Sequence, residues 1–102
     1  MKEQLKEIIA HYGIDKQLKY IHSEYFELDE AIINYFNDET YYDEIDISDK
    51  KHIAEEIADI MVMLKQFQYY YDITDKQIED IMKFKIDRQL ERIKEENNEN
   101  ND

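Results

Sequence analysis

The sequence of 102 residues contains no cysteine and no proline, and its single glycine is Gly13. Without cysteine, the chain can form no disulfide, no thiolate zinc site and no cysteine nucleophile. Without proline and with one glycine, it lacks the residues that tight hairpins and glycine-rich phosphate loops require, which excludes Walker-type and dinucleotide-binding folds. These absences favour an all-α fold.

Long apolar runs and positive charge are scarce as well. No segment approaches the roughly 18 consecutive apolar residues of a membrane span, and the polar start of the chain does not resemble a secretory signal. We therefore expect a soluble, cytoplasmic protein with no membrane partner. Thirteen basic and 26 acidic residues give a formal net charge of −13, which argues against direct binding to nucleic acid.

Apolar residues recur at helical spacing in four segments, and 42% of the residues are hydrophobic, which is enough for one modest core. This pattern predicts a four-helix bundle with helices at about residues 2–12, 15–36, 50–71 and 74–95. We expect one domain over residues 1–95, followed by a disordered acidic, Asn-rich tail over residues 96–102.

Residues with known positional preferences mark several of the predicted helix ends. Gly13 is a stop signal for the first helix, and Asp15 is the expected cap of the second. Residues 37–49 lose the helical period and favour turns, so they are predicted to form a loop. Thr74 and Gln77 match the Thr-x-x-Gln pattern of a capping box at the start of the fourth helix.

The second and third helices each carry an apolar stripe that we expect to be buried. Its members are Leu18, Ile21, Tyr25, Leu28, Ile32 and Tyr35 in the second helix, and Ile53, Ile57, Ile60, Leu64, Phe67 and Tyr71 in the third. Beside each stripe lies a pair of carboxylates three residues apart, Glu24 with Glu27 and Glu56 with Asp59. Each pair has the same angular offset from its stripe at roughly 100° per residue.

An antiparallel packing of these two helices would bring the two carboxylate pairs to one side and to similar heights. Glu27 and Glu56 would differ in height by about 3 Å at roughly 1.5 Å per residue. Four carboxylates would then line one groove, and oxygen ligands without His or Cys are typical of an Mg²⁺ or Mn²⁺ site. The alternative is that they are ordinary solvent-facing acids in a chain with 38% charged residues.

Lys85, Arg88 and Arg92 line one strip of the fourth helix, beside its apolar face. Salt bridges to neighbouring acids would be the simplest role for these residues. Next to a carboxylate-bound metal, however, such a strip could neutralise the remaining charge of a polyphosphate. The metal site and the basic strip together suggest a nucleotide substrate.

The sequence resembles the MazG-type all-α nucleoside triphosphate pyrophosphohydrolases, whose signature is Glu-x-x-Glu, a spacer and Glu-x-x-Asp on two helices. The first half reads EYFE at Glu24–Glu27, and the second reads EIAD at Glu56–Asp59. The run KFKIDRQLERI in the fourth helix is similar to the basic segment of small family members, and the resemblance covers about residues 16–94. Ser23 departs from the pattern, because many members have a further Glu at that position.

The resemblance implies metal-dependent hydrolysis of a nucleoside or deoxynucleoside triphosphate to the monophosphate and pyrophosphate, with Mg²⁺ or Mn²⁺ as the cofactor. The implied metal ligands are Glu24, Glu27, Glu56 and Asp59. The implied phosphate-binding residues are Lys85, Arg88 and Arg92. One of the two glutamates of the first half-motif, Glu24 or Glu27, would also act catalytically by orienting or deprotonating the attacking water.

The resemblance has further implications for assembly and for the substrate pocket. Family members are dimers or tetramers, so a homodimer or homotetramer is expected. A base pocket would lie between the first two helices or at a subunit boundary, with Tyr12, Tyr20 or His22 as candidate residues. The spacer of 28 residues from Leu28 to Glu55 is long for the family, and its tyrosine-bearing loop is expected to reach the site as a lid.

A non-catalytic role is the alternative to an enzyme. An acidic helical protein could mimic the charge of DNA and bind a basic protein, or it could regulate a protein partner. Evenly spread surface acids would favour this alternative. The clustering of acids beside an apolar stripe, together with a basic strip, favours the enzyme.

Overall fold

The computed structural model describes the backbone of residues 1–39 and 47–100 and the side chains of residues 1–35 and 49–100. These residues form four α-helices and no β-strand, which confirms the predicted all-α class. The helices are α1 (Lys2–Tyr12), α2 (Ile14–Glu39), α3 (Ile47–Tyr70) and α4 (Asp75–Asn100). The greater part of the loop predicted to act as a lid, residues 40–46, lies outside the described residues.

Gly13 separates α1 from α2 and takes part in both helices. Its N–H donates to the carbonyl of Ile9 at 2.9 Å, and its carbonyl accepts from the N–H of Gln17 at 3.1 Å. Its φ of 88° and ψ of 151° lie in a region that only glycine adopts without strain, so the predicted stop signal is confirmed. The prediction that Asp15 caps α2 is wrong, because the helix begins one residue earlier and Asp15 lies in its first turn.

Several helix ends differ from the predicted ends. α2 continues past Phe36 to Glu39, and α3 begins at Ile47 instead of Lys50, because the acidic residues there do not exclude a helix as glycine or proline would. α4 likewise continues past Glu95 to Asn100, through most of the segment predicted to be disordered, which contains no glycine or proline to stop it.

The start of α4 has the predicted capping box. The backbone N–H of Thr74 donates to Gln77 Oε1 at 2.8 Å, and the backbone N–H of Gln77 donates to Thr74 Oγ1 at 3.1 Å. The two side chains thus satisfy two backbone donors that the helix itself leaves without partners.

The described chain divides into two compact units, Met1–Tyr71 with α1–α3 and Asp72–Asp102 with α4. The single domain predicted over residues 1–95 remains a prediction. Among the described residues, no helix is both long and apolar enough to span a membrane.

α2 and α3 pack against each other in the first unit, and α1 packs against both. Along the contact, buried and half-buried positions recur in steps of three and four residues, as in a coiled coil, and residues 65–69 near the end of α3 are all buried or half-buried. We call this contact the seam. It contains Gln17, Ile21, Glu24, Leu28, Ala31 and Tyr35 from α2, and Ile53, Glu56, Ile60, Met63 and Phe67 from α3.

The seam differs from the predicted apolar stripes, because both helices are rotated toward their polar side. Leu18 and Tyr25 of α2 are 46% and 62% exposed, and Ile57 and Leu64 of α3 are 44% and 53% exposed. A stripe drawn through apolar residues alone cannot anticipate this rotation, since the seam also buries glutamate and glutamine side chains. The rotation moves carboxylates from the edge of the helix contact into the contact itself.

Candidate functional site

The register of α2 against α3 is fixed near one end by a hydrogen bond between two buried amides. Gln17 Nε2 donates to Gln66 Oε1 at 2.8 Å, which pairs the start of α2 with the end of α3, so the two helices are antiparallel. Seven residues further along α2 and seven residues back along α3, the same register places Glu24 level with Asp59. Glu27 is then level with Glu56, the pairing that the helix lengths predict.

Three of the four predicted metal ligands meet at this level. One carboxylate oxygen from each of Glu24, Glu27 and Glu56 lies within 4.8 Å of the other two. Glu24 and Glu56 are 5% and 7% exposed and belong to the seam, whereas Glu27 is exposed at its edge. Asp59 is exposed beside them and lines a cavity together with Glu24. We call Glu24, Glu27 and Glu56 the carboxylate cluster.

The carboxylate cluster contains buried oxygens that no group of the described protein satisfies. Glu24 Oε2 and Glu56 Oε2 are enclosed and accept no hydrogen bond. Burial of an unpaired carboxylate oxygen is costly unless a cation or a donor compensates it. Oxygens on opposite sides of an Mg²⁺ ion lie about 4.2 Å apart. The cluster therefore fits a divalent cation in ligand chemistry, and its oxygens lie close enough together to converge on one ion.

The electrostatics of the cluster act most strongly on Glu24. Burial raises the pKa of its carboxyl above the ordinary value, and the negative charges of Glu27 and Asp59 raise it further, while a hydrogen bond from Tyr20 acts in the opposite direction. The same hydrogen bond and the charge of Glu24 raise the pKa of the Tyr20 hydroxyl. A bound cation would reverse the sign of these effects by stabilising the ionised carboxylates.

A cavity of about 420 Å³ opens beside the carboxylate cluster, within the first unit. Glu24 and Asp59 line one end, and Gln17 and Gln66 line it two helical turns away. The side chains on its remaining wall come from all three helices: Ile8, Tyr12, Lys16, Tyr20, Val62 and Met63. Its volume is within the usual range for a small-molecule site.

The cavity includes residues that the sequence pointed to and residues that it did not. Tyr12 and Tyr20, which were candidates for a base pocket, line the cavity, whereas His22 does not. Gln17 and Gln66 were not anticipated. The available signal was their position, because each lies seven residues from a motif carboxylate on the same helix, and residues seven apart share a helix face.

The three predicted phosphate-binding residues lie together on α4. Lys85, Arg88 and Arg92 are exposed and line one shallow depression of about 130 Å³. Within the described part of the chain none of the three pairs with a carboxylate, although Lys76 of the same helix forms a salt bridge with Asp80 at 2.7 Å. Their cationic groups therefore remain available to an anionic ligand.

No family model matches the chain, no curated protein matches it, and no solved structure matches it. A helical architecture alone supports many functions, so the function of this chain depends on the chemistry of particular residues.

Proposed function

We propose that the protein is an Mg²⁺-dependent pyrophosphohydrolase of the MazG type, which cleaves a nucleoside or deoxynucleoside triphosphate to the monophosphate and pyrophosphate. The observation that carries the proposal is the carboxylate cluster: one oxygen from each of its three glutamates lies within 4.8 Å of the other two, and Glu24 and Glu56 each have an enclosed oxygen without a hydrogen bond. The adjoining cavity supplies room for the rest of a nucleotide.

The four acids have distinct roles in this proposal. Glu24, Glu27 and Glu56 hold the cation, and Asp59 completes the ligand set from the next turn of α3. When bound, Mg²⁺ supplies charge neutralisation for the phosphates and acidifies a coordinated water. Glu24 or Glu27 would orient the attacking water and accept its proton; the exposed Glu27 is the easier of the two for solvent to reach.

The basic strip of α4 has a matching role in the proposal. Lys85, Arg88 and Arg92 neutralise the negative charge of the pyrophosphate group, which grows on the leaving oxygens as the bond breaks. The absence of carboxylate partners for these three residues in the described chain supports this assignment over surface salt bridges.

We also infer that the working protein is a homodimer or homotetramer in the cytoplasm, where nucleotides are its substrates. Leu18, Tyr25 and Ile32 form one row on α2 at intervals of seven residues, and all are exposed. A matching exposed row runs along α3 and consists of Ile57, Leu64 and Tyr71, the last of which directly follows the helix. At 100° per residue these outer rows lie roughly 140° around each helix from the cavity-lining side chains. Such spacing is typical of helices that pair with further helices.

The test is pyrophosphate release from the four ribonucleoside and four deoxyribonucleoside triphosphates, in Mg²⁺, in Mn²⁺ and in EDTA. We expect metal-dependent release that EDTA abolishes. Glu56→Gln should abolish turnover and leave the helical circular dichroism intact, whereas Glu55→Gln, at the exposed neighbouring position, should retain turnover. Lys85→Ala should lower the rate, with Lys83→Ala as its matched control on α4.

Absence of hydrolysis for all eight nucleotides would contradict the proposal. The non-catalytic alternative would then predict that a basic protein binds the chain equally well before and after Glu56→Gln, because DNA mimicry depends on overall charge and not on one buried carboxylate.

A further inference from the structure

The amide pair in the cavity is buried but only partly satisfied. Gln66 is 1% exposed, the most completely buried large side chain of the described protein. Its Oε1 accepts from Gln17, but the hydrogen-bond partner of its Nε2 is Met63 Sδ at 3.7 Å. A thioether sulfur is a weak acceptor, and an amide nitrogen carries two donor hydrogens. The amide end of the cavity therefore has donor capacity that the protein leaves largely unused.

A second donor group lies on the same cavity wall. Lys16 lines the cavity one residue before Gln17, and its ammonium is 5.1 Å from the centre of the Tyr12 ring. Tyr12 and Tyr20 provide aromatic surface there, while Val62 and Met63 provide apolar surface. Aromatic surface beside hydrogen-bonding amides is the usual way in which proteins bind a nucleobase taken out of its stack.

The separation of amides and carboxylates matches a nucleotide in order and in length. Gln17 precedes Glu24 by seven residues and Gln66 follows Asp59 by seven, so the two ends lie about 10.5 Å apart at 1.5 Å per residue. A nucleoside together with its first phosphate is of similar length. A ligand with phosphates at the carboxylate end would hence place its base against the amides.

We propose that Gln66, supported by Gln17 and Lys16, selects the base of the substrate and favours bases rich in carbonyl oxygens, with uracil and thymine preferred and adenine, which has no carbonyl, least favoured. This inference rests on the proposed function for the identity of the ligand as a nucleotide. Gln66 Nε2 donates to a base carbonyl in place of Met63 Sδ, and Lys16 donates to a second carbonyl at the cavity wall. Gln17 is a positioning residue, because it holds Gln66 through its own amide.

The test uses nucleosides in EDTA, since they carry no phosphate and do not depend on the carboxylate cluster. Binding of uridine, thymidine, cytidine and adenosine to the full chain is measured by ligand-observed nuclear magnetic resonance. We expect uridine to bind at least about tenfold more tightly than adenosine. Gln66→Met should lower uridine affinity roughly five- to tenfold, the effect of one lost hydrogen bond, and should leave adenosine affinity nearly unchanged.

Gln68→Met is the matched control, because Gln68 is a buried glutamine of α3 outside the cavity, and it should keep the preference for uridine. If Gln66→Met does not fold, Lys16→Met, at an exposed position, provides a second test of uridine affinity, with Lys19→Met as its control. Equal affinity for uridine and adenosine would overturn the inference. A preference for uridine that persists in both Gln66→Met and Lys16→Met would overturn it as well.

The nucleoside and hydrolysis assays separate the two proposals. A preference for uridine without hydrolysis of any triphosphate would overturn the pyrophosphohydrolase and retain the base site. Metal-dependent hydrolysis without any preference among the nucleosides would overturn the base site alone.

Discussion

Replacement of Glu56 by glutamine should stabilise the metal-free protein, although it removes a buried side-chain charge. At a separation of 4.8 Å, the upper limit for the nearest oxygens of the cluster, two carboxylates repel each other by about 3.5 kcal/mol at an effective dielectric constant of 20, and by about 0.9 kcal/mol in water. The pair of Glu24 with Glu56 is buried and approaches the larger value, whereas exposed Glu27 contributes nearer the smaller one. The glutamine amide can also donate to the unpartnered Glu24 Oε2.

The expected gain in unfolding free energy for Glu56→Gln is about 1–3 kcal/mol in EDTA at pH 7.5, because solvent at the exposed edge of the cluster screens part of the repulsion. A gain of 1 kcal/mol raises the melting temperature by about 4–8 °C in a domain of this size. Thermal melts followed by circular dichroism, at one protein concentration, measure the difference. Glu55→Gln changes the net charge equally at an exposed position and should alter stability by less than about 0.5 kcal/mol.

Addition of Mg²⁺ should narrow or reverse the difference in stability between the wild type and Glu56→Gln. A ligand present at 100 times its dissociation constant stabilises the folded state by about 2.7 kcal/mol, and the wild-type cluster should gain this while the variant gains little. The reasoning would be refuted if Glu56→Gln and Glu55→Gln melted together in EDTA, or if the wild-type melting temperature were the same with Mg²⁺, Mn²⁺ and EDTA.

Two further predictions concern pH and assembly. Burial raises the pKa of Glu24 above its ordinary value of 4.5. At a pH between the ordinary and the raised pKa, the folded state retains a proton that the unfolded state has lost. The contribution of Glu24 to stability therefore falls as the pH rises through the raised pKa. In urea unfolding in EDTA, Glu24→Gln should lose less unfolding free energy than the wild type between pH 5 and pH 7.5. Equal losses in the two proteins would contradict a raised pKa at Glu24. In the proposed assembly, Leu64→Asp in the outer row should give monomers in sedimentation velocity, whereas Gln4→Asp, at an exposed position of α1, should not; a monomeric wild type would exclude the assembly.

The existence, order and antiparallel register of the seam helices could be read from the sequence, because each depends on features that dominate locally. The apolar period gives the helices, and Gly13 gives the break between α1 and α2 through a backbone conformation that other residues avoid. The level pairing of Glu24 with Asp59 follows from helix rise alone, and the bond between Gln17 and Gln66 shows that register. The predicted end of α2 and the predicted start of α3 were each three residues short. The two errors cancel in the relative height of the carboxylate pairs, because both helices are longer by the same amount at that end.

The rotation of the helices could not be read from the sequence, because it depends on which residues the fold buries and not on which residues are apolar. Glu24, Glu56 and Gln66 occupy buried positions that a hydrophobicity pattern assigns to solvent. The cavity depends on α1, which supplies Ile8 and Tyr12 to its wall. No spacing within α2 or α3 indicates that contribution.

The polar content of the seam connects the candidate site with the expected assembly. A seam built for stability alone would place leucine or isoleucine at the positions of Gln17, Glu24 and Glu56, since buried carboxylates without partners destabilise the folded state. Leucine and isoleucine are present, but the rotation turns Leu64 and Ile57 outward. A bound cation and a nucleotide would satisfy the polar seam, and a second copy would cover the outer rows. The same rotation thus produces both requirements, so a variant that fills the seam with apolar residues should lose ligand binding while its outer rows stay exposed.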